Sequence, residues 1–236
     1  MNFKYFPLLL LFFISNKNKP DLTDTLHKTV AEITINHTKA KADTVYNALE
    51  VENISLPQSE SFKTAISGFY ELKSKGLVTK NILTIIDFSL SSTVKRLWVI
   101  DLNTNSVLFH SLVSHGINSG LEFANSFSNS HSSNKSSLGF FATAETYNGK
   151  HGLSLKLDGL EKGINDKARS RGLVFHGAYY ANASILFTQN YLGRSQGCPA
   201  LPQFLNPKII NVIKGKSCIY IHHSSRKSKV LSKLMS

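Results

Sequence analysis

The apolar pattern changes period at Asn81, and this change limits the fold more than any other feature of the chain. Before Asn81, apolar residues recur every three or four positions, the spacing of one helical face. After it they fall into short runs of strand length, bounded by Gly, Asn, Ser and Pro. Ile82 to Phe88 is a near-continuous apolar run. Arg96 to Leu102 carries Leu97, Trp98, Val99 and Ile100; Asn103-Thr104-Asn105-Ser106 is a turn, and Val107 to Val113 returns, which makes a hairpin. Trp98 belongs in a core, and its indole N–H needs an acceptor there. Leu138 to Tyr147 and Gly152 to Leu157 are strands, with Asn148-Gly149 as the turn signal between them. Leu173-Val174-Phe175 and Ser217 to His222 complete the set of strands.

The segment 17–80 is helical in pattern. Thr23 or Asp24 caps a short helix with Leu26, Val30 and Ile33 on one face. Ala42 to Val51 places Val45 and Leu49 at helical spacing. Ser59 caps a helix that runs to Lys75, with Phe62, Ile66, Phe69 and Leu72 or Lys73 on successive turns, and Gly76 stops it. Its stripe packs against the domain that follows. Ahead of it all, Lys4 precedes the apolar run Tyr5 to Ile14, which is too short to span a bilayer. Residues 1–16 read as a secretory signal peptide with a basic n-region, or as an uncleaved anchor, because Ser15-Asn16-Lys17 is a poor cleavage site. Export to the periplasm or cell envelope follows.

The chemistry concentrates between Arg171 and Pro202. The apolar run Leu173-Val174-Phe175 delivers His176 into Gly177. A helix-like segment follows and breaks at Gly193. Then comes Ser195-Gln196-Gly197-Cys198-Pro199, a cysteine on a constrained turn that opens the helical pattern of Gln203 to Ile213. A thiol is a nucleophile as thiolate; a nearby imidazole can take its proton and a helix N-terminus can lower its pKa. The amide groups of Gly197 and Cys198 are placed to face an oxyanion. A free cysteine is also, more commonly, a small buried hydrophobe, so the spacing alone leaves both readings open. No second Cys or His lies within four positions of Cys198, which argues against zinc.

His176-Gly177 and Ser195-Gln196-Gly197-Cys198 resemble the signature of the L,D-transpeptidase catalytic domain family, the cysteine enzymes that cross-link peptidoglycan stems. Gly193-Arg194 and Pro199-Ala200-Leu201-Pro202 are similar to a divergent branch of it. So are Leu83 to Phe88, Asn118-Ser119-Gly120 and Ser137-Leu138-Gly139-Phe140, and the resemblance covers Asn81 to His222. Two positions depart from the family pattern: its histidine two before the Cys is Gln196, and its Arg or Asn two after is Ala200.

The resemblance implies a mainly β catalytic domain, a sandwich or barrel over 81–223, with the helical extension before it, a helix after the Cys, and a basic tail at 224–236. It implies that Cys198 forms a thioester with a stem tetrapeptide and that an amine of a second stem resolves it. His176 is then the base, the Gly177 carbonyl holds its tautomer, Gly197 and Cys198 supply oxyanion donors, and Ser195 holds the turn. Arg194 and Arg171 suit the substrate's carboxylates, and Tyr147, Lys150 and His151 project towards the cleft. No cofactor and no metal are implied. Resolution by water instead would make an L,D-carboxypeptidase; a third reading is a non-catalytic wall-binding protein.

Net charge is +12, so an anionic partner such as the cell envelope is expected. The basic residues are scattered and not interleaved with aromatics, which argues against nucleic acid, and no specific protein partner is indicated. Of the two cysteines, Cys218 sits in a strand pattern and reads as buried, so it does not pair with Cys198. Ser114 to Ser137, rich in Ser and Asn, reads as a long surface loop near the site or as disorder. Gly159 to Arg171 reads as a solvated polar loop, since its carboxylates lack calcium-loop spacing.

Overall fold

The computed structural model describes residues 42–49 and 54–226. These belong to the compact unit Thr38–Ser236; a second unit, Met1–His37, lies outside the described residues. The apolar run Tyr5 to Ile14, the helix carrying Leu26, Val30 and Ile33, and the tail from Lys227 also lie outside them. So do the last residues of the Ala42–Val51 segment, of which a helix, α1, is described over 42–47.

The second helix, α2 (Ser59–Ser74), forms because Phe62, Ile66, Phe69 and Leu72 recur on one face, and all four are buried. Its N-cap is Gln58, which keeps extended backbone and makes no side-chain cap bond, while Ser59 is already helical. The expected Ser59 cap is therefore one residue off. Ser61 donates back to the Gln58 carbonyl at 2.8 Å and steadies the first turn.

Eight strands follow: β1 (Ile82–Asp87), β2 (Leu97–Asp101), β3 (Ser106–Ser111), β4 (Gly139–Gly149), β5 (Gly152–Gly159), β6 (Val174–Ala178), β7 (Ala200–Pro202) and β8 (Cys218–His222). They form one sheet in the order β3-β2-β1-β8-β4-β5-β6-β7. β1 and β8 are parallel, as are β6 and β7; the other pairs are antiparallel. Beyond β3 the chain turns onto the far edge. Ser114 N–H donates to the Ala200 carbonyl at 2.9 Å, and Ser195 N–H to the His115 carbonyl at 2.9 Å. The first satisfies an edge group of β7, which an open sheet would leave unpaired, and the two together make the sheet a nearly closed barrel. The protein is mainly β.

Alternation within the strands builds two cores. Leu83, Ile85, Trp98, Ile100, Phe140 and Tyr220 share one with the apolar face of α2. Trp98 finds its acceptor in the Ser55 carbonyl at 2.7 Å. Ile86, Leu97, Val99, Phe175 and Ile219 share the other with Ile209, Ile210 and Ile213 of α3 (Asn206–Ile213). Fully burying side chains of this size contributes roughly 1.5–3 kcal/mol each, so α2 is held by packing and not by its cap.

Four local expectations are corrected. The turn between β4 and β5 is Lys150-His151, because Asn148 pairs with Leu153 and Gly149 with Gly152; Gly152, at φ +72°, supplies the left-handed residue that Asn148-Gly149 seemed to offer. The segment after Gly177 is two short 3-10 turns, Tyr179–Ala181 and Ala183–Phe187. Cys198 does not open a helix: β7 follows it, and α3 starts only at Asn206, with Pro207 in its first turn. The 159–171 loop is not simply solvated. Glu161 is buried, accepts the Phe140 N–H at 2.6 Å and pairs with Arg226, while Arg169 bridges Glu145 and Asp158.

Candidate active site

The turn that carries Cys198 is built from its own residues. Ser195 Oγ accepts the Gly197 N–H at 3.0 Å and donates to the Cys198 carbonyl at 2.6 Å, closing the loop on itself. Gly197 sits at φ +118°, and a Cβ there would lie 2.8 Å from the Lys135 carbonyl oxygen, so glycine is required twice over. From outside, Ser136 Oγ donates to the Gly197 carbonyl at 3.1 Å and accepts the Gly116 N–H at 3.0 Å. The Ser/Asn-rich stretch 114–137 thus forms part of the wall. Its Ser114, His115, Ser119, Ser136 and Ser137 are buried.

His176 comes from β6, which pairs with β7 so that His176 stands opposite Ala200, two residues past the cysteine. Its Nδ1–H donates to the Gly177 carbonyl at 3.1 Å. That leaves Nε2 as the lone-pair nitrogen, the one able to accept a proton. Burial holds the His176 pKa below the ordinary imidazole value, helped by the proximity of His151 and Lys150.

His176 and Cys198 line the same cavity, of about 1090 Å³. Cys198 is partly exposed, yet its sulfur sits deep enough that desolvation pushes the thiol pKa up. The thiol donates to the Gly172 carbonyl at 3.7 Å. A helix N-terminus would have lowered the thiol pKa; none is there, and burial dominates. Both shifts have the same cause, burial, and both favour the uncharged form of the side chain.

Of the other residues picked out by sequence, Ser195, Arg194, Arg171, Tyr147, Lys150 and His151 all line this cavity. The Gly197 N–H, expected to face an oxyanion, is committed to Ser195 instead. The Arg171 guanidinium faces the loop: it donates to the carbonyls of Ser128 at 2.6 Å and Lys135 at 2.7 Å, and to the hydroxyls of Ser133 and Ser137. It serves as a clamp on the wall, because both terminal nitrogens are bonded to that loop. Arg194 uses one N–H on the Gly120 carbonyl at 3.2 Å and lies over the Tyr191 ring. None of the residues lining the cavity is Asp or Glu, so its field is positive and suits an anionic ligand. Among the described residues no group of three His, Cys, Asp or Glu side chains is placed to hold a metal ion.

Sequence reasoning missed three neighbours. Tyr180 lines the cavity, and burial pushes its phenol up to about 12. Arg96 is fully buried and donates to the Val113 and Leu90 carbonyls and to His115 Nδ1 at 2.8 Å. His115 in turn supplies the carbonyl that holds Ser195. A charged residue at the head of an apolar strand run was the available signal for Arg96. Its partners come from other elements and leave no local trace.

The sequence pattern of the L,D-transpeptidase catalytic domain matches residues 54–222, a span that takes in α2 as well as the sheet. Among solved structures, an L,D-transpeptidase from Mycobacterium smegmatis is similar at 14% identity and TM-score 0.38, covering 60% of this chain and 58% of that one. One from Mycobacterium tuberculosis H37Rv is similar at 12% identity and TM-score 0.39, covering 60% and 57%. One from Xylanimonas cellulosilytica is similar at 13% and TM-score 0.33, covering 77% of each chain. This chain thus spans less than two thirds of the length of the mycobacterial structures. No curated protein matches the sequence. With most of its length matching the family's pattern, the chain belongs to the L,D-transpeptidase catalytic domain family.

Proposed function

We propose that the protein is a cysteine-dependent L,D-transpeptidase that acts on peptidoglycan stem peptides through a thioester. The observation that carries this is the shared cavity: Cys198 and His176 both line it, and the Gly177 carbonyl fixes the imidazole tautomer that leaves Nε2 basic. Family membership agrees with it.

Burial, which favours the uncharged form of both side chains, sets the order of events. Cys198 Sγ attacks the carbonyl carbon of the bond between the L- and D-centres of a tetrapeptide stem. As the S–C bond forms, the thiol proton moves to His176 Nε2. The thiol leaves its contact with Gly172 in doing so; such contacts commonly tighten onto the base only when substrate is bound. The Cys198 N–H and the Tyr180 hydroxyl, which its raised pKa keeps protonated, are the donors we assign to the oxyanion. Collapse breaks the C–N bond, His176 returns its proton to the leaving amine, and D-alanine departs. An amine of a second stem then attacks the thioester and restores the thiol. Arg194, with guanidinium N–H groups beyond the one on Gly120, takes a substrate carboxylate.

Incubation with a disaccharide tetrapeptide, followed by mass spectrometry of protein and products, tests this reading. An acyl adduct on Cys198 and a cross-linked product in the presence of an acceptor amine are expected. Disaccharide tripeptide and D-alanine as the only products, whatever the acceptor, would make the enzyme an L,D-carboxypeptidase. No adduct and no turnover would remove the proposal.

We further infer export to the cell envelope. The apolar run after Lys4 and the +12 net charge support it. Cell fractionation checks it, and a cytoplasmic pool of full-length chain would count against it.

A further inference from the structure

We propose that His151, at the tip of the β4–β5 hairpin, is a positioning residue for His176: its imidazole lies face to face on the base and holds that ring in the cavity wall. The two ring centroids are 4.4 Å apart and the planes are 22° from parallel. The pairing of Ser154 with His176 brings the start of β5 alongside β6, so the turn Lys150-His151 overhangs the histidine. His176 is 3% exposed, whereas His151 is an exposed residue. An exposed histidine on a hairpin tip is ordinarily solvated, and ordering it costs side-chain entropy. Here it gives up that freedom to cover one buried ring.

The geometry says what the contact does. Stacked rings present faces to each other and not N–H edges, so no proton passes directly between them. The contact instead resists rotation of the His176 ring away from the Gly177 carbonyl, the bond that selects its tautomer. It also covers one face of that ring and keeps water from it. The charged and titratable groups that share the cavity with His176 are Tyr147, Lys150, His151, Arg171, Tyr180, Arg194 and Cys198. Of these, His151 alone makes ring contact with it. The stack couples the two rings: the face of the His151 ring lies against the imidazolium formed during catalysis.

The inference rests on the reading of His176 as the base of Cys198, and the test separates the two. His176 is followed by its ring-proton NMR titration, and Cys198 by its rate of alkylation with iodoacetamide across pH 5 to 9, on the full chain with Cys218 in its buried position. Neither readout needs substrate. In His151→Ala the His176 titration should move to higher pH by roughly half a unit or more, as the covering that desolvates it is lost. Alkylation at pH 8 should fall about fivefold through misplacement of the base. His151→Phe, which keeps a stacked ring but no charge, should stay within about twofold of wild type at pH 8. His176 titrating alike in all three proteins, or Phe proving as slow as Ala, would overturn the proposal. His176→Ala alkylating like wild type would remove the base itself, and this inference with it.

Discussion

His115 is a buried imidazole two residues from any exposed chain, and it links the core to the nucleophile's turn through its carbonyl bond to Ser195. Its Nδ1 accepts from the Arg96 guanidinium and its Nε2–H donates to the Gly120 carbonyl at 3.3 Å. A proton added at Nδ1 would face a guanidinium donor with no room for water. Burial first, and then Arg96, push its pKa down from 6.5 to about 4. The unfolded chain therefore takes up a proton near pH 6.5 that the folded chain refuses until about pH 4. Stability from this group is intact above pH 6.5 and is lost as pH falls through that window. Linkage makes the loss about 2 kcal/mol by pH 5 and about 3 kcal/mol by pH 4. His115→Gln keeps an acceptor for Arg96 and a donor for Gly120 but cannot titrate. At pH 7.5 it should cost about 1 kcal/mol through imperfect hydrogen bonds. At pH 5 it should equal or exceed wild type, because wild type has lost about 2 kcal/mol there. Other buried histidines shift both proteins alike and cancel in the difference. Urea unfolding at pH 7.5, 6 and 5 measures it. A stability difference between the two proteins that stays constant across that range would refute the reasoning.

Three further outcomes are expected. Cys198→Ala should abolish adduct formation without changing stability by more than about 1 kcal/mol, whereas Cys218→Ala should leave activity and cost about 1–2 kcal/mol as a core void; mass spectrometry and urea unfolding read the two. Gly197→Ala puts a Cβ against the Lys135 carbonyl at positive φ, and activity should drop at least tenfold, since a misplacement of about 1 Å can cost more than that; a fully active variant would show that the turn tolerates a side chain. Arg194→Ala should raise KM for stem peptides about tenfold with kcat little changed, as loss of one charge-assisted contact predicts, and an unchanged KM would free Arg194 of this role.

Periodicity made most of the fold legible. Every strand run from Ile82 to His222 became a strand, α2 buried its four predicted apolar residues, and Trp98 sought the acceptor its indole required. What misled were signals decided by pairing at a distance. Asn148-Gly149 is a strong turn dipeptide, but register with β5 absorbs it into strand and moves the turn to Lys150-His151. Pro199 after Cys198 reads as a helix opening, yet pairing of Ala200 to Pro202 with β6 draws that segment into the sheet. Glu161 reads as a loop carboxylate, and Arg226, from the far end of the described chain, buries it.

The order of residues by itself determined where strands lie, which face of α2 is apolar, and that one histidine and one cysteine each stand beside a glycine, His176 before Gly177 and Cys198 after Gly197. These follow from side-chain shape and spacing, which act over a few residues. Only the tertiary structure decided that both side chains line one cavity, that burial favours the uncharged form of each, that the Gly197 N–H and the terminal nitrogens of Arg171 are already bonded, and that His151 lies on His176. Desolvation, charge and hydrogen-bond occupancy depend on what stands a few ångströms away in space, and in a closing sheet those neighbours come from strands far apart in the chain.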